Sequence, residues 1–301
     1  MNASAIAARF IGHKESVYAL SEGREGFFYS AGSDGWVVEW ELKKPDAGRL
    51  LARVPGSVYA LSFLPEKNML VVAVNNDGFH FIDPDAGKEI FAIPAGERQW
   101  FRMRQMPDGH ILACGSGGCL AKLHPEEKSI GFFQQGIADL RGMAVFESGK
   151  VMLGSSAAEL SLLEPGPGTA KELVSGHEKT IFAISAYPDG KSLVSAGRDA
   201  RLNLHQKQSS GSWELKQSVP AHLYGIHDVC LHPVKPLLAS AGMDKNVKIW
   251  DAENLRLLRV LDRSRHGGHS HSVNHLCWLA KPDLLLSCSD DRSILAWDIY
   301  H

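Results

Sequence analysis

Four times along the chain a histidine, a serine and an aspartate recur in one order: His13, Ser30 and Asp34; His177, Ser195 and Asp199; His222, Ser240 and Asp244; His269, Ser287 and Asp291. A hydroxyl nucleophile, an imidazole base and a carboxylate that orients the base are the parts of a hydrolytic triad. Repetition speaks against that chemistry. One active site needs one nucleophile, whereas a structural device recurs wherever its unit recurs. Six residues after each aspartate stands a large ring: Trp40, His205, Trp250 or Trp297.

The remaining reactive residues are sparse. His227, His266 and His271 can form a metal-binding or pH-responsive patch, since imidazole is a common metal ligand and titrates near neutrality. No carboxylate or cysteine stands at a confirming spacing, so neither metal nor cofactor is expected. The five cysteines (Cys114, Cys119, Cys230, Cys277, Cys288) are odd in number and lack paired ligand spacing. Most lie in apolar runs, where a free thiol behaves as a small buried hydrophobe, which fits a reducing compartment. With 32 Lys+Arg against 34 Asp+Glu and no basic block, nucleic acid is a poor partner. The beginning of the chain lacks a secretory apolar stretch and no run is long enough for a membrane helix, so a cytoplasmic location is expected.

These residues are placed by a repeated unit. GHKESVYALSEGREGFFYSAGSDGWVVEW, GHEKTIFAISAYPDGKSLVSAGRDARLNLH, AHLYGIHDVCLHPVKPLLASAGMDKNVKIWD and GHSHSVNHLCWLAKPDLLLSCSDDRSILAWD align almost without gaps. Three weaker copies fill the interval between the first two, with Ile82, Leu123 and Leu163 in the Trp column, giving seven units 40 to 47 residues apart. Within each unit, short β-branched and aromatic runs alternate with SDG, NDG, PDG or ESGK turns, the pattern of consecutive antiparallel strands. No segment shows sustained helical periodicity. Four short strands per unit is the arithmetic of a propeller blade.

The Gly-His, Asp and Trp-Asp signatures resemble those of the WD-repeat (WD40) β-propeller family, over essentially the whole chain. The resemblance implies an all-β, seven-bladed propeller spanning residues 1–301 as one domain. The family's repeat is offset from its blade, so Ser4 to Ile11 would complete the last blade and close the ring. It also implies that Trp indole, Ser hydroxyl, His and Asp form a hydrogen-bonded chain within a blade. Blades two to four have Val54, Gly96 and Gly136 in place of the histidine, and are expected to rely on apolar packing alone.

The resemblance further implies a partner-binding top face around the central channel. Carried over by position, residues five after the repeat histidine are Tyr18, Tyr59, Phe101, Arg141, Phe182, His227 and Asn274. Residues three after it are Ser16, Ser57, Gln99, Asp139, Thr180, Gly225 and Ser272. Those before the structural aspartate are Ser33, Asn75, Ser116, Ser156, Arg198, Met243 and Asp290. Aromatic residues and arginine are enriched at binding hot spots, and Arg141 with Arg198 favours an acidic or carboxylate-bearing peptide. Packing between blades is the competing reading of the same ring. The segment Asp262 to Gly268 is expected on this face beside blade seven, and Lys207 to Trp213 as a long hairpin on the opposite one.

The leading expectation is therefore a non-catalytic scaffold that binds other proteins or peptides, itself a monomeric ring within a larger complex. An enzyme or small-ligand binder at the channel mouth is the alternative. Its visible ingredients are Arg141, Asp139, His227 and Asp290, on different blades.

Overall fold

The structure, a computed structural model, describes residues 5–164, 171–173 and 176–300. Strand sequences such as Leu237–Gly242 (LLASAG) and Phe27–Gly32 (FFYSAG) are buried along nearly their whole length. A strand covered on both faces reads as a continuous run of small and apolar residues instead of an alternation. Each therefore lies inside a sheet that has another sheet on either side.

Turns set the strand ends. Gly35 takes φ +68° between the second and third strands of the first sheet, and Ala200, Lys245 and Arg292 hold the equivalent left-handed position at +64°, +70° and +68°. The preceding aspartate offsets that strain: Asp34, Asp199, Asp244 and Asp291 each accept the backbone N–H two residues on.

Among the described residues, 28 strands form seven four-stranded antiparallel sheets, six of them with strands adjacent in chain order. Blade 1 runs from Val17–Glu22 to Arg49–Arg53, blade 2 from Val58–Leu64 to Lys88–Pro94, and blade 3 from Trp100–Gln105 to Ser129–Gln134. Blade 4 runs from Leu140–Val145 to Lys171–Leu173, blade 5 from Ile181–Ala186 to Trp213–Pro220, and blade 6 from Ile226–Leu231 to Leu257–Leu261. Blade 7 takes Val273–Leu279, Leu284–Ser289 and Ser293–Trp297 from one end of the chain and Ile6–Ile11 from the other. Ile6 pairs with Trp297 and Phe10 with Ile294. Ser4 lies outside the described residues.

The first strands of successive blades touch one another around the ring, and Val17–Glu22 meets Val273–Leu279 to close it. The core is a set of layers between blades. One layer joins Phe10, Leu286 and Ile294 of blade 7 to Val17, Phe28 and Trp40 of blade 1. Another joins Ala239, Val247 and Ile249 of blade 6 to Leu276, Leu285 and Trp297 of blade 7.

Candidate functional site

The histidine sets form linear relays. In blade 1 the Trp40 indole donates to Ser30 Oγ at 2.8 Å, Ser30 lies 2.7 Å from His13 Nε2, and His13 Nδ1 lies 3.0 Å from Asp34. Blades 6 and 7 repeat this through Trp250, Ser240, His222 and Asp244 and through Trp297, Ser287, His269 and Asp291. The indole can only donate, so the serine oxygen accepts from it and leaves its own hydroxyl to donate to Nε2, while Nδ1 faces the carboxylate. A serine so engaged, with its oxygen buried in every blade, has no free face for attack on a substrate.

In blade 5 the indole is replaced by His205, whose Nε2 lies 2.9 Å from Ser195 Oγ, while His177 joins Ser195 to Asp199. His205 Nδ1 is buried without a hydrogen-bond partner, and burial pushes its pKa down to about 3.

Blade 2 departs from expectation. It does not rely on apolar packing alone: His80 is held between Asp77 at 2.6 Å and Glu89 at 2.5 Å. The imidazole has moved from the chain entering the blade to the third strand, so a search for the repeat histidine does not find it.

Each relay carboxylate also holds backbone. Asp244 accepts His222 Nδ1–H and the N–H groups of Leu223 and Asn246, contacts that lower its pKa against the opposing effect of burial. Asp244→Ala is expected to destabilise the ring by about 2 kcal/mol, from orphaned donors costing roughly 1–3 kcal/mol each in part rescued by water. Chemical denaturation measures this, and an unchanged midpoint would refute the relay as a stabilising element.

The channel mouth is built by one irregularity repeated seven times. Every innermost strand slips its register by one residue near its start. The extra residues are Tyr18, Tyr59, Phe101, Arg141, Phe182, His227 and Asn274. A bulge bends the strand and re-aims the side chain at the extra residue; here all seven turn inward and line one cavity of about 290 Å³ together with Arg102 and Asp290. The two flanking positions in each blade are clipped together, the carbonyls of Ser16, Ser57, Gln99, Asp139, Thr180, Gly225 and Ser272 accepting the N–H of Ser33, Asn75, Ser116, Ser156, Arg198, Met243 and Asp290. That clip explains Gly32, Gly197 and Gly242, where a Cβ would stand 2.0, 2.1 and 2.5 Å from the accepting carbonyl.

Side chains in the mouth form a partial aromatic wall. Tyr18 stacks on Tyr59 at 4.4 Å, Tyr59 meets Phe101 edge-on at 6.4 Å, and the Arg141 guanidinium sits 4.0 Å above the Phe101 ring. Phe182 meets His227 edge-on, His227 Nδ1 donates to the Val273 carbonyl, and Asn274 donates to Asp290. Phe101 is only 8% exposed, so it serves as the wall behind Arg141 more than as a free contact. Arg198 and Met243 do not line the cavity. Both are exposed beside Gly225, on the outer top surface where Leu223 and Tyr224 are 80% and 64% exposed.

Beneath the mouth lies a feature that repeat logic passes over. Arg102 reaches across the channel from blade 3 to blade 6, donating to Asp228 at 3.0 Å and to the His227 carbonyl at 2.9 Å. Asp228 also accepts the Leu276 N–H and stands 3.6 Å from His275 Nε2. The bridge gives the cavity a charged floor. A charged residue in the middle of WFRMRQ was the available signal.

The proposed histidine patch does not assemble: His227 points into the mouth, His266 accepts from the Asp262 N–H, and His271 bonds Ser270. Asp262 caps the short helix Arg263–His266 instead. Among the described residues, no three His, Cys, Asp or Glu side chains group as a metal site would, and all five cysteines are free.

The family model for the WD domain, G-beta repeat, matches residues 169–206, 213–251 and 258–298. The chain thus carries WD40 repeats at three places within its seven-bladed propeller. The chain is similar to rat transducin beta-like protein 3 (22% identical, 95% of this chain, 39% of the relative) and to the Arabidopsis thaliana WD repeat-containing protein WDS homolog (25%, 95% and 56%). It is also similar to Drosophila melanogaster actin-interacting protein 1 (24%, 84% and 36%). The chain thus spans between about a third and somewhat over half of these relatives. In fold it matches the WD40 β-propeller domain of Doa1 with a TM-score of 0.85 at 17% identity, over 99% of this chain and 98% of that one. No helix among the described residues is long and apolar enough to cross a membrane.

Proposed function

We propose that this propeller is a non-catalytic interaction platform that seats a partner peptide or loop in the top-face basin. One observation carries the reading: seven bulges aim seven side chains of five kinds into one cavity over the Arg102–Asp228 bridge. A structural device repeats its residues, as the relays do; this ring varies them. Through Tyr59, Phe101 and Arg141 the basin continues into a groove of about 510 Å³ over blades 2 and 3, room for a chain leading away from an inserted anchor. A concave site with an aromatic wall and a few convergent polar groups suits such an anchor.

Arg141 favours an acidic or carboxylate-bearing residue, because a guanidinium pairs with carboxylate through two parallel hydrogen bonds. Its bond to Asp139, at 3.5 Å, is long enough to yield to a better-placed partner. Relatives whose printed names include an actin-interacting protein support a role in protein association. The free thiols fit a cytoplasmic setting, and the closed ring fits a monomer working within a larger assembly.

Affinity capture from source-cell lysate with wild type beside Arg141→Ala/Phe182→Ala tests this. The expected result is a partner recovered by wild type and reduced about tenfold or more by the variant, as for loss of hot-spot residues, with both chains equally folded. Recovery unchanged by the double substitution overturns the top-face assignment.

A further inference from the structure

The other end of the channel carries a second feature, unrelated to the basin. Eight residues beyond the repeat-histidine column, the inner strands place Ser21, Ser62, Arg104, Ala144, Ser185, Cys230 and Cys277 at one level, each paired at the corresponding point of its second strand. Six of the seven are small. Arg104 alone is long and charged, and a residue that breaks a seven-fold pattern is not there to build blades.

Arg104 has no carboxylate paired with it. Arg102, beside it on the same strand, takes Asp228, whose second oxygen accepts the Leu276 N–H. The Arg104 Nη1 donates only to the carbonyl of Met103, and among the described residues no carboxylate lies within 4.0 Å of its guanidinium. Burial and the neighbouring Arg102 lower its pKa and outweigh Asp228, which raises it from beyond pairing distance. A guanidinium offers five donors, and this one lines a cavity of about 650 Å³ at the lower mouth. Around it stand Met106, Ala144, Phe146, Ser185 and Cys230, with Gln105 and the exposed Glu147 completing a lining that is part apolar and part polar.

We propose that the lower mouth of the channel is a second binding site, in which Arg104 receives a carboxylate carried on an apolar stem. The guanidinium supplies the bidentate pairing, and the walls take the stem out of water. A bare, strongly hydrated anion gains only the first of these.

Hexanoate, its neutral isostere hexanamide, and inorganic phosphate are the probes, titrated into the full chain while the Arg104 Nε–H resonance is followed by NMR. Hexanoate is expected to shift that resonance and to bind at least about tenfold more tightly than hexanamide, the gain of a charge-assisted bond, with phosphate weaker than hexanoate. Arg104→Gln should lose that preference while its melting temperature holds or rises, because an unpaired, half-buried charge is removed. Arg104→Lys keeps the charge without the fork, and should bind hexanoate several-fold more weakly than wild type; it decides the matter if the glutamine variant does not fold. The Arg141→Ala/Phe182→Ala chain should bind hexanoate as wild type does, which separates this site from the basin. Equal binding of hexanoate and hexanamide, or hexanoate binding unaffected by both Arg104 substitutions, overturns the proposal. Phosphate binding as tightly as hexanoate overturns the apolar stem.

Discussion

A chain lacking residues 1–12 is expected to lose cooperative unfolding and to aggregate at concentrations where the full chain is soluble. Ile6–Ile11 is the outer strand of blade 7, and its removal strips the ladder partner from Ser293–Trp297, a strand buried along all five residues. An exposed apolar edge recruits other chains. The loss also reaches blade 1, because Phe10, fully buried, packs edge-on against Phe28 at 4.9 Å and against Trp40 at 5.6 Å. Truncating a buried Phe typically costs about 3–5 kcal/mol; losing the whole strand exceeds that and is comparable with the roughly 5–15 kcal/mol that hold a domain folded. Calorimetry and size-exclusion chromatography measure both effects. Phe10→Ala should show a smaller cost with cooperativity kept, and a truncated chain that melts like wild type would mean the ring is not closed by this strand.

The sequence showed most of this architecture because the relay leaves a periodic trace. Where Trp, Ser, His and Asp bond in sequence, each position demands a particular donor or acceptor, so blades 1, 6 and 7 are plain to see and blade 5 differs only in His205 for the indole. Blade 2 was opaque because His80 makes its links to the partly exposed Asp77 and Glu89 from other positions. The mouth residues could be located by counting from the repeat histidine, yet counting could not show that a bulge turns each of them inward, nor that Phe101 is covered by Arg141. Arg102, Asp228 and Arg104 were missed for a related reason. Seeking what recurs discards what occurs once, and the channel's chemistry lies in residues that occur once.

Acid should weaken the ring before its carboxylates titrate. Burial lowers His205 to about 3 and His275 to about 4; the latter accepts the Leu20 N–H and faces Asp228 with Arg102 and Arg104 nearby. Both stay neutral when folded, whereas in the unfolded chain each protonates near the ordinary histidine value of about 6.5. Below that value the unfolded state binds more protons, so stability falls as pH falls, by up to about 1.4 kcal/mol per unit for each group until its folded pKa is reached. Between pH 7.5 and 4.5 the pair is expected to remove about 5 kcal/mol. His222 and His227, also lowered by burial, act in the same direction. Asp34, Asp199 and Asp244 are lowered as well, but a depressed carboxylate keeps its contribution above its unfolded value of about 3.9 and loses it only on further acidification. Denaturant midpoints across this pH range, for wild type and for His205→Gln/His275→Gln, separate the two causes. The double variant should flatten the dependence between pH 6.5 and 4.5 and leave the steeper loss at lower pH; an identical slope in both proteins would assign the acid sensitivity to other groups.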